Sequence, residues 1–525
     1  MTLPLSQRNM EKFIWLQAQA ANLAATWQAV KDYRAYYDGD HPVFLSARQQ
    51  EYLGDLLTKA SHTVCFNVCR LVVDILRERL KVIGFESDDP ALALWVADLW
   101  NRAKLDIEQV TLHRRALRDG ASYLIVGWDA ETGWPTLTAN RRYDGDNGTT
   151  YYVDDETTKP RAAVKYWAVS DPLTKKFGQK RRTLFYADRI IRQQEDVRGE
   201  FGWTPIAADE GPALQFWTAT LNEGGKPLGL AAIEFQNPGK ISELEDVIGL
   251  QNAVNKALLD LLAAADLTGF QMYAVSYPGP AGAAPTNDDE ATDDDIQIAP
   301  GRLLELFEGA TMNAIRAGDL KQLIETLQTI IGAIGKTTRT PQYYLWQSGN
   351  WGDDVPSGEA LKQMESGLVA RAHERIVQFG DAWVQAIRVA ARLHNAMGGT
   401  PTLNAEASLS PVWASAEVRN ELLISQEAQN HATLGVPQEF LWRNKLGYTA
   451  VQVKEMKQLR AAEQAEQLAN IVMGLATNGQ QNPGGAGGNG AFGRPNSRLS
   501  DNGGAIANRS HGGSRAASVG SAVTG

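Results

Sequence analysis

The sequence predicts a mainly α protein with a small β-barrel or β-rich subdomain in its first half. Three observations carry this. Apolar residues recur every three or four positions through most of the chain, the period of a helix with one buried face. The stretch at about 120–205 instead reads as short strands at regular spacing, separated by Gly, Asp and Asn clusters. Three long helical stripes in the second half surround one irregular acidic insert.

In chain order, residues 6–37 read as helix through Phe13, Leu16, Leu23 and Trp27, ended by the turn Tyr36-Tyr-Asp-Gly-Asp-His-Pro42. A second helix spans about 67–80, with Leu71, Val72, Ile75 and Leu76 on one face, and two more follow near 90–103 and 107–118. Ser122–Trp128, Thr136, Tyr151–Val153, Ala163–Val169 and Thr183–Tyr186 are the expected strands of the small barrel or sandwich. The first long helix is expected from Asn237-Pro238, a cap with Pro in the first turn, to Thr268-Gly269. Ser242 and Glu245 offer an alternative capping box one turn later. Its stripe is Leu244, Val247, Ile248, Val254, Leu258, Leu261 and Leu262. The second long helix starts at Asp319 with Gln322 and breaks at Thr337-Thr-Arg-Thr-Pro341. The third opens at Ser357 and runs to about Asn395, and a further helical region covers about 415–477. From Gly479 onward 13 Gly in 47 residues leave too little apolar surface to offset ordering, so a disordered tail is expected.

With 525 residues the chain is long enough for two to four structural units, and 43% hydrophobic residues suffice for a sizeable core. Its 14 Trp point to assembly, since large aromatics serve interfaces. A net charge of −10 excludes a protein that grips nucleic acid over its whole surface; DNA handled by this chain is held loosely. Cys65 and Cys69 are too few for a disulfide framework and point to a reducing cytosol. No signal peptide, membrane span or membrane partner is expected.

Candidate chemistry is sparse. Gly332-Ala-Ile-Gly-Lys-Thr-Thr338 resembles a phosphate loop, but Ile330 stands where the motif needs Gly, and the segment ends a helix, where the dipole repels phosphate. A small-residue packing site explains it better. His62, Cys65 and Cys69 sit on or just before one helix, and one helix face cannot close a tetrahedral metal site. No nucleophile–base set or metalloprotease motif occurs. Catalytic residues, metal ligands and cofactors are therefore expected to be none.

Two segments remain. The insert at 270–318 holds a strand-like Met272–Tyr277 and the acidic run Asp288, Asp289, Glu290, Asp293, Asp294 and Asp295. That run lacks the Gly and terminal Glu of a calcium hand; it is either a solvated loop or an electrostatic lining or docking surface. The loop at 342–356 carries Tyr343, Tyr344, Trp346, Asn350, Trp351, Asp353 and Asp354. It either packs onto its own domain or faces an interface or nucleic acid.

The order of elements resembles the phage portal family in its siphophage branch. The matching pieces are Tyr36-Tyr-Asp-Gly-Asp-His-Pro42, Asn67-x-x-Arg70-x-Val-Val-Asp74 leading to Leu80-x-Val-x-Gly-Phe85, the strand-rich segment after Asp119-Gly120, and the helix–acidic insert–helix unit. Thr340-Pro341 through Pro356-Ser-Gly-Glu-Ala-Leu-Lys362 complete the set. The resemblance covers about residues 6–475 and implies a portal fold of wing, stem, clip and crown assembling as a ring. It implies a wing over 1–237 containing the small β subdomain, stem helices at 238–268 and 319–337, and a clip at 270–318. It further implies a tunnel loop at 342–356, a long wing helix at 357–400, a crown at 401–477 and a tail from 478 to 525. The implied function is a channel at a capsid vertex for DNA packaging and ejection, in the virion after assembly in the host cytoplasm. Implied partners are eleven further copies in a dodecamer, double-stranded DNA bound weakly, the terminase large subunit, major capsid and scaffold proteins, and head-completion or adaptor proteins. The acidic clip residues would dock the motor and the 342–356 loop would face DNA. The alternatives are another head–tail connector component or an enzyme.

Overall fold

The computed structural model describes residues 23–42, 66–153, 160–171, 176–200, 202–206, 227–269, 273–276, 311–314, 320–346, 358–417, 428–444, 446, 448 and 450–478. The expected carboxy-terminal tail lies outside them.

Four helices and one strand open the body: α1 (Leu23–Asp38), α2 (Val68–Glu78), β1 (Val82–Ser87), α3 (Pro90–Arg102) and α4 (Leu105–Asp119). Their boundaries are set locally. The Asn67 side chain accepts from Arg70 N at 3.1 Å and caps α2. Asp89 does the same for α3 through Ala91 N, with Pro90 in the first turn. The α4 helix begins with Asp106 and Glu108 and ends at Gly120, whose φ of +80° is open to glycine. A Cβ there would lie 2.3 Å from the Lys240 carbonyl oxygen, so close approach as well as φ requires glycine.

The strand-rich region forms two sheets, and the first of them draws on a later part of the chain. β2 (Ala121–Asp129) pairs with β3 (Trp134–Arg141) on one side and with β9 (Ala232–Gln236) on the other. β4 (Gly148–Val153), β5 (Pro160–Asp171), β6 (Lys176–Phe185), β7 (Ile190–Glu200) and β8 (Trp203–Pro205) form an antiparallel meander in that order. A barrel closed within 120–205 is therefore not what the described strands make. The third strand of the first sheet arrives about a hundred residues later, a distance that strand spacing along the sequence does not reveal.

The helix expected to start at Asn237-Pro238 starts later. Those residues open a single 3-10 turn (Pro238–Lys240), and α5 runs Ile248–Gly269. Gly239 and Lys240 both have positive φ, at 65° and 57°, which no right-handed helix tolerates in its interior. The residues between fold into turns, with Ser242 accepting from Leu244 N at 3.0 Å. After α5 come β10 (Tyr273–Ser276) and β11 (Thr311–Ala314), paired antiparallel, then α6 (Leu320–Thr337) and the short α7 (Gln342–Leu345). The 39-residue α8 (Gly358–Ala396) follows, then β12 (Leu409–Trp413), α9 (Gln438–Asn444) and the 29-residue α10 (Ala450–Asn478).

The core lies where α8 crosses the first sheet and α4. Phe379, Trp383 and Ile387 of α8 meet Phe235 of β9 and Leu112 and Leu117 of α4, all fully buried. His113 sits among them, also fully buried. It shares one hydrogen bond of 3.0 Å between its Nδ1 and the Leu80 carbonyl, and Trp383 Nε1 donates to its Nε2 at 3.1 Å. Nε2 must then be unprotonated and Nδ1 the donor. Burial pushes its pKa down to about 4. β12 returns to pair with β1, Val82 opposite Trp413, so residues 409–413 belong to the body although they fall in the expected crown span. Residues to 457 form one compact unit and those from 458 a second.

Candidate functional site

The helix–insert–helix unit is the feature that the sequence singles out, and the structure supplies its frame. α5 and α6 pack against each other, and the β10–β11 ladder joins the two segments beyond their ends. The α6 stripe has Leu327, Ile331 and Ile334 buried. Asp288, Asp289, Glu290, Asp293, Asp294 and Asp295 lie outside the described residues.

Polar side chains inside the apolar stripes fix where this pair meets the body. Gln251 of α5 is fully buried. Its Oε1 accepts from Val68 N at 2.9 Å and Cys69 N at 3.3 Å, and its Nε2 donates to Phe66 O at 2.8 Å. One side chain thus supplies partners to the open first turn of α2, whose amides have no intrahelical acceptor. One turn on, Asn255 accepts from Gln251 at 3.0 Å and contacts His41 Nδ1 at 2.9 Å. Cys69 is buried on α2 as a core side chain, while His62 and Cys65 lie outside the described residues.

A second anchor is ionic. Glu243, just before α5, is 6% exposed and bridges Arg371 and Arg375 of α8, each 9% exposed. Arg375 Nη2 donates to its Oε1 at 2.8 Å, and Asn237 Nδ2 donates to the same oxygen at 3.0 Å. Arg371 also donates to the Thr338 carbonyl at the end of α6. The cluster therefore holds the start of α5, the end of α6 and the long helix together. Burial pushes the Glu243 carboxyl up, but the two guanidiniums outweigh it and hold it below the usual carboxylate range. A third cluster, Arg34 with Asp119 at 2.9 Å and with Asp144, ties α1 to the end of α4 and the turn before β4.

The turn after α6 explains the phosphate-loop resemblance. A Cβ on Gly335 would stand 3.0 Å from the Thr340 carbonyl oxygen, and Thr338 and Thr340 are buried and hydrogen-bonded to each other at 3.0 Å. The small residues let the chain fold back tightly on α6, as a packing site does.

Of the loop residues, Tyr343, Tyr344 and Trp346 are described, and each has partners in the chain itself. The Tyr343 and Tyr344 hydroxyls donate to Glu365 Oε1 at 2.6 and 2.7 Å. Arg79 donates to the Tyr344 hydroxyl at 2.6 Å and lies 3.3 Å from Glu365. Burial and then the Glu365 carboxylate push both phenols up. Trp346 packs edge-on to Phe66, with ring centroids 5.9 Å apart. Asn350, Trp351, Asp353 and Asp354 lie outside the described residues.

Sequence reasoning did not single out Glu243, Gln251, Asn255, Glu365, Arg371 or Arg375. A usable signal existed for Gln251 and Asn255: two amides one turn apart inside an apolar stripe need buried partners. Among the described residues there is no cluster of His, Cys, Asp and Glu able to hold a metal, and no helix long and apolar enough to cross a membrane.

Comparison with known proteins gives the frame a family. The chain is 22% identical over 414 residues to the portal protein of Mycobacterium phage D29, covering 75% of this chain and 79% of that one. It is 22% identical over 377 residues to the portal protein of Mycobacterium phage L5, covering 68% and 70%. Among solved structures it is similar to a chain in the neck of an empty gene transfer agent (GTA) particle, with a TM-score of 0.39 and 13% identity over 75% of this chain and 91% of that one. The family model described as phage portal protein, SPP1 Gp6-like, matches residues 20–468, and the chain belongs to that family.

Proposed function

We propose that this portal family member assembles, as a ring of twelve copies, the channel at one capsid vertex through which DNA is packaged and later ejected. The observation that carries the reading is the antiparallel α5–α6 pair, joined by the β10–β11 ladder and fixed at its base by buried polar and ionic contacts to α2 and α8. A two-helix unit has too little core to stand alone, and neighbours around a ring complete it. In this reading α5 and α6 are the stem and residues 270–318 the clip. The acidic run Asp288–Asp295 lines the channel or docks the terminase large subunit and then head-completion proteins. The part of 401–477 that follows β12 contributes a crown, and capsid and scaffold proteins meet the wing.

The loop at 342–356 faces DNA, with its first residues anchored by Glu365 and Phe66 and Asn350, Trp351, Asp353 and Asp354 carrying the contact. A carboxylate-rich lumen repels phosphates and lets a duplex slide. The family is structural, and the motor supplies the nucleotide hydrolysis. Negative-stain imaging with light scattering tests the assembly. Rings with a duplex-wide hole and a mass near twelve subunits are expected. A monomer that stays monomeric with scaffold and capsid protein present refutes it.

A further inference from the structure

The buried side chains near the end of α8 are mostly apolar, but His394 is not. Its imidazole is 3% exposed, and neither ring nitrogen has a hydrogen-bond partner among the described residues. A neutral ring carries a proton on one nitrogen and a lone pair on the other, so the site leaves both a donor and an acceptor unmet. Two indoles wall it in. The Trp95 ring of α3 lies 5.2 Å away and the Trp134 ring of β3 5.8 Å away, centroid to centroid. Trp95 and Trp134 stack on each other at 6.0 Å.

Backbone closes a further side. A Cβ on Gly399 would overlap three atoms of the imidazole, so the chain at Gly399 rests directly on the ring. The turn that carries Gly399 is pinned at both ends. Gly399 N donates to the His394 carbonyl at 2.9 Å. The Asn395 side chain donates to the Leu403 carbonyl at 2.7 Å and accepts from Leu403 N at 2.9 Å. Beyond the turn, Leu403, Ala405, Ala407 and Leu409 are buried at every second position, a strap that runs into β12.

We propose that His394 is an acid-operated latch: a proton on its imidazole drives the ring out from between Trp95, Trp134 and Gly399 and releases the turn at 397–402 from the end of α8. An imidazolium carries two donors and a full charge, and this enclosure gives it no carboxylate. The charged groups on the elements packed round the ring are Asp98 and Arg102 of α3, Asp129 opposite Trp134 and Glu131 after it, Arg388 and Arg392 of α8, and Glu406 beyond the turn. Arg102 lies 4.5 Å from the centre of the Trp134 ring, Asp129 accepts from Glu131 N and the Thr132 hydroxyl, and Arg392 pairs with Glu406. None of them hydrogen-bonds the imidazole.

Burial pushes the His394 pKa below the ordinary histidine value, against a smaller opposite pull from the Pro401 carbonyl. With the turn open the ring regains its ordinary value of about 6.5. The open form therefore holds the extra proton. Opening gains up to about tenfold for each pH unit below about 6.5, until the closed form titrates as well. His113 differs in kind. Both of its ring nitrogens are hydrogen-bonded and it lies in the core, so its protonation opposes the whole fold, whereas His394 lies under one turn that can lift alone.

The test follows amide exchange by mass spectrometry on the full-length protein at about pH 7.5 and about pH 5.5, corrected for the intrinsic pH dependence of exchange. Opening of peptides within 397–409 should rise about three- to tenfold at the lower pH. Peptides from α4 and β9, around His113, should stay protected at both. This readout on the wild-type protein needs no variant to fold. His394→Phe keeps an aromatic ring and removes the proton, and should abolish the pH effect on 397–409. Gly399→Ala, whose Cβ displaces the ring, should open the same turn at about pH 7.5 as acid does in the wild type. Exchange in 397–409 that does not respond to pH overturns the proposal. So does an acid-driven opening that persists in His394→Phe, or one that spreads equally to α4 and β9, which would assign it to His113.

Discussion

Replacing Glu243 by Gln tests whether the ionic anchor holds the helical pair to the body. The substitution keeps the size of the side chain and removes its charge. Two guanidiniums, each 9% exposed, then face an amide whose NH2 group cannot accept from them. Breaking a buried ion pair by neutralising one partner costs about 3–5 kcal/mol, because the remaining charges stay desolvated and unpaired. For a body of this size that destabilisation lowers the melting temperature by about 3–5 °C. The assay is calorimetry with amide exchange read at the start of α5 and the end of α6, where protection should fall most. A companion variant with Glu243→Leu, Arg371→Met and Arg375→Leu should recover most of the stability, since apolar residues of similar volume replace buried ion clusters at little cost. A destabilisation below about 1 kcal/mol for Glu243→Gln would place the cluster with exposed ion pairs and refute the reasoning.

The same carboxyl gives a pH dependence whose sign is fixed. Its folded pKa lies below the usual value of about 4.3, so the unfolded chain binds the extra proton and the stabilisation fades as pH falls below that value. His113 acts earlier: neutral when folded, with a pKa of about 4 against about 6.5 unfolded, it should withdraw about 3 kcal/mol as pH falls through that window. A His113→Phe variant unfolded in urea at pH 7 and pH 5 should show a smaller difference than the wild type. Glu365→Ala should release the Tyr343 and Tyr344 hydroxyls and speed proteolysis after Leu345, whereas Glu365→Gln, still an acceptor, should do so less. Gly120→Ala should cost more than about 3 kcal/mol, through positive φ and the Lys240 carbonyl together, and an unfolding midpoint within error of wild type would contradict it.

Much of the helical frame was legible because its signals are local. Asn67, Asp89-Pro90 and Thr337–Pro341 mark helix ends through caps and breaks that need only neighbouring residues. The start of α5 was not legible. Asn237-Pro238 is a sound cap, but Gly120 presses against the Lys240 backbone and the chain there takes positive φ, a constraint set about 120 residues away. The pairing of β2 with β9 was hidden for the same reason. Of the expected site residues, the tyrosines at 343 and 344 were legible as an aromatic pair, but Arg79 and Glu365, which engage them, are separated from them by hundreds and by about twenty residues. The Glu243 cluster joins positions 128 and 132 residues apart, beyond any spacing rule.

Gln251 has a mechanical consequence. A helical pair joined to its body by side-chain amides and guanidiniums, rather than by continuous backbone alone, is a cantilever whose clamp can be tuned residue by residue. Torque applied at the hairpin end reaches α2 through the Gln251 carboxamide and α8 through Arg371 and Arg375. Shortening Gln251 to Asn would loosen the clamp on the α2 side while leaving the α8 side intact, and so change the direction in which the lever yields rather than how strongly the body is folded.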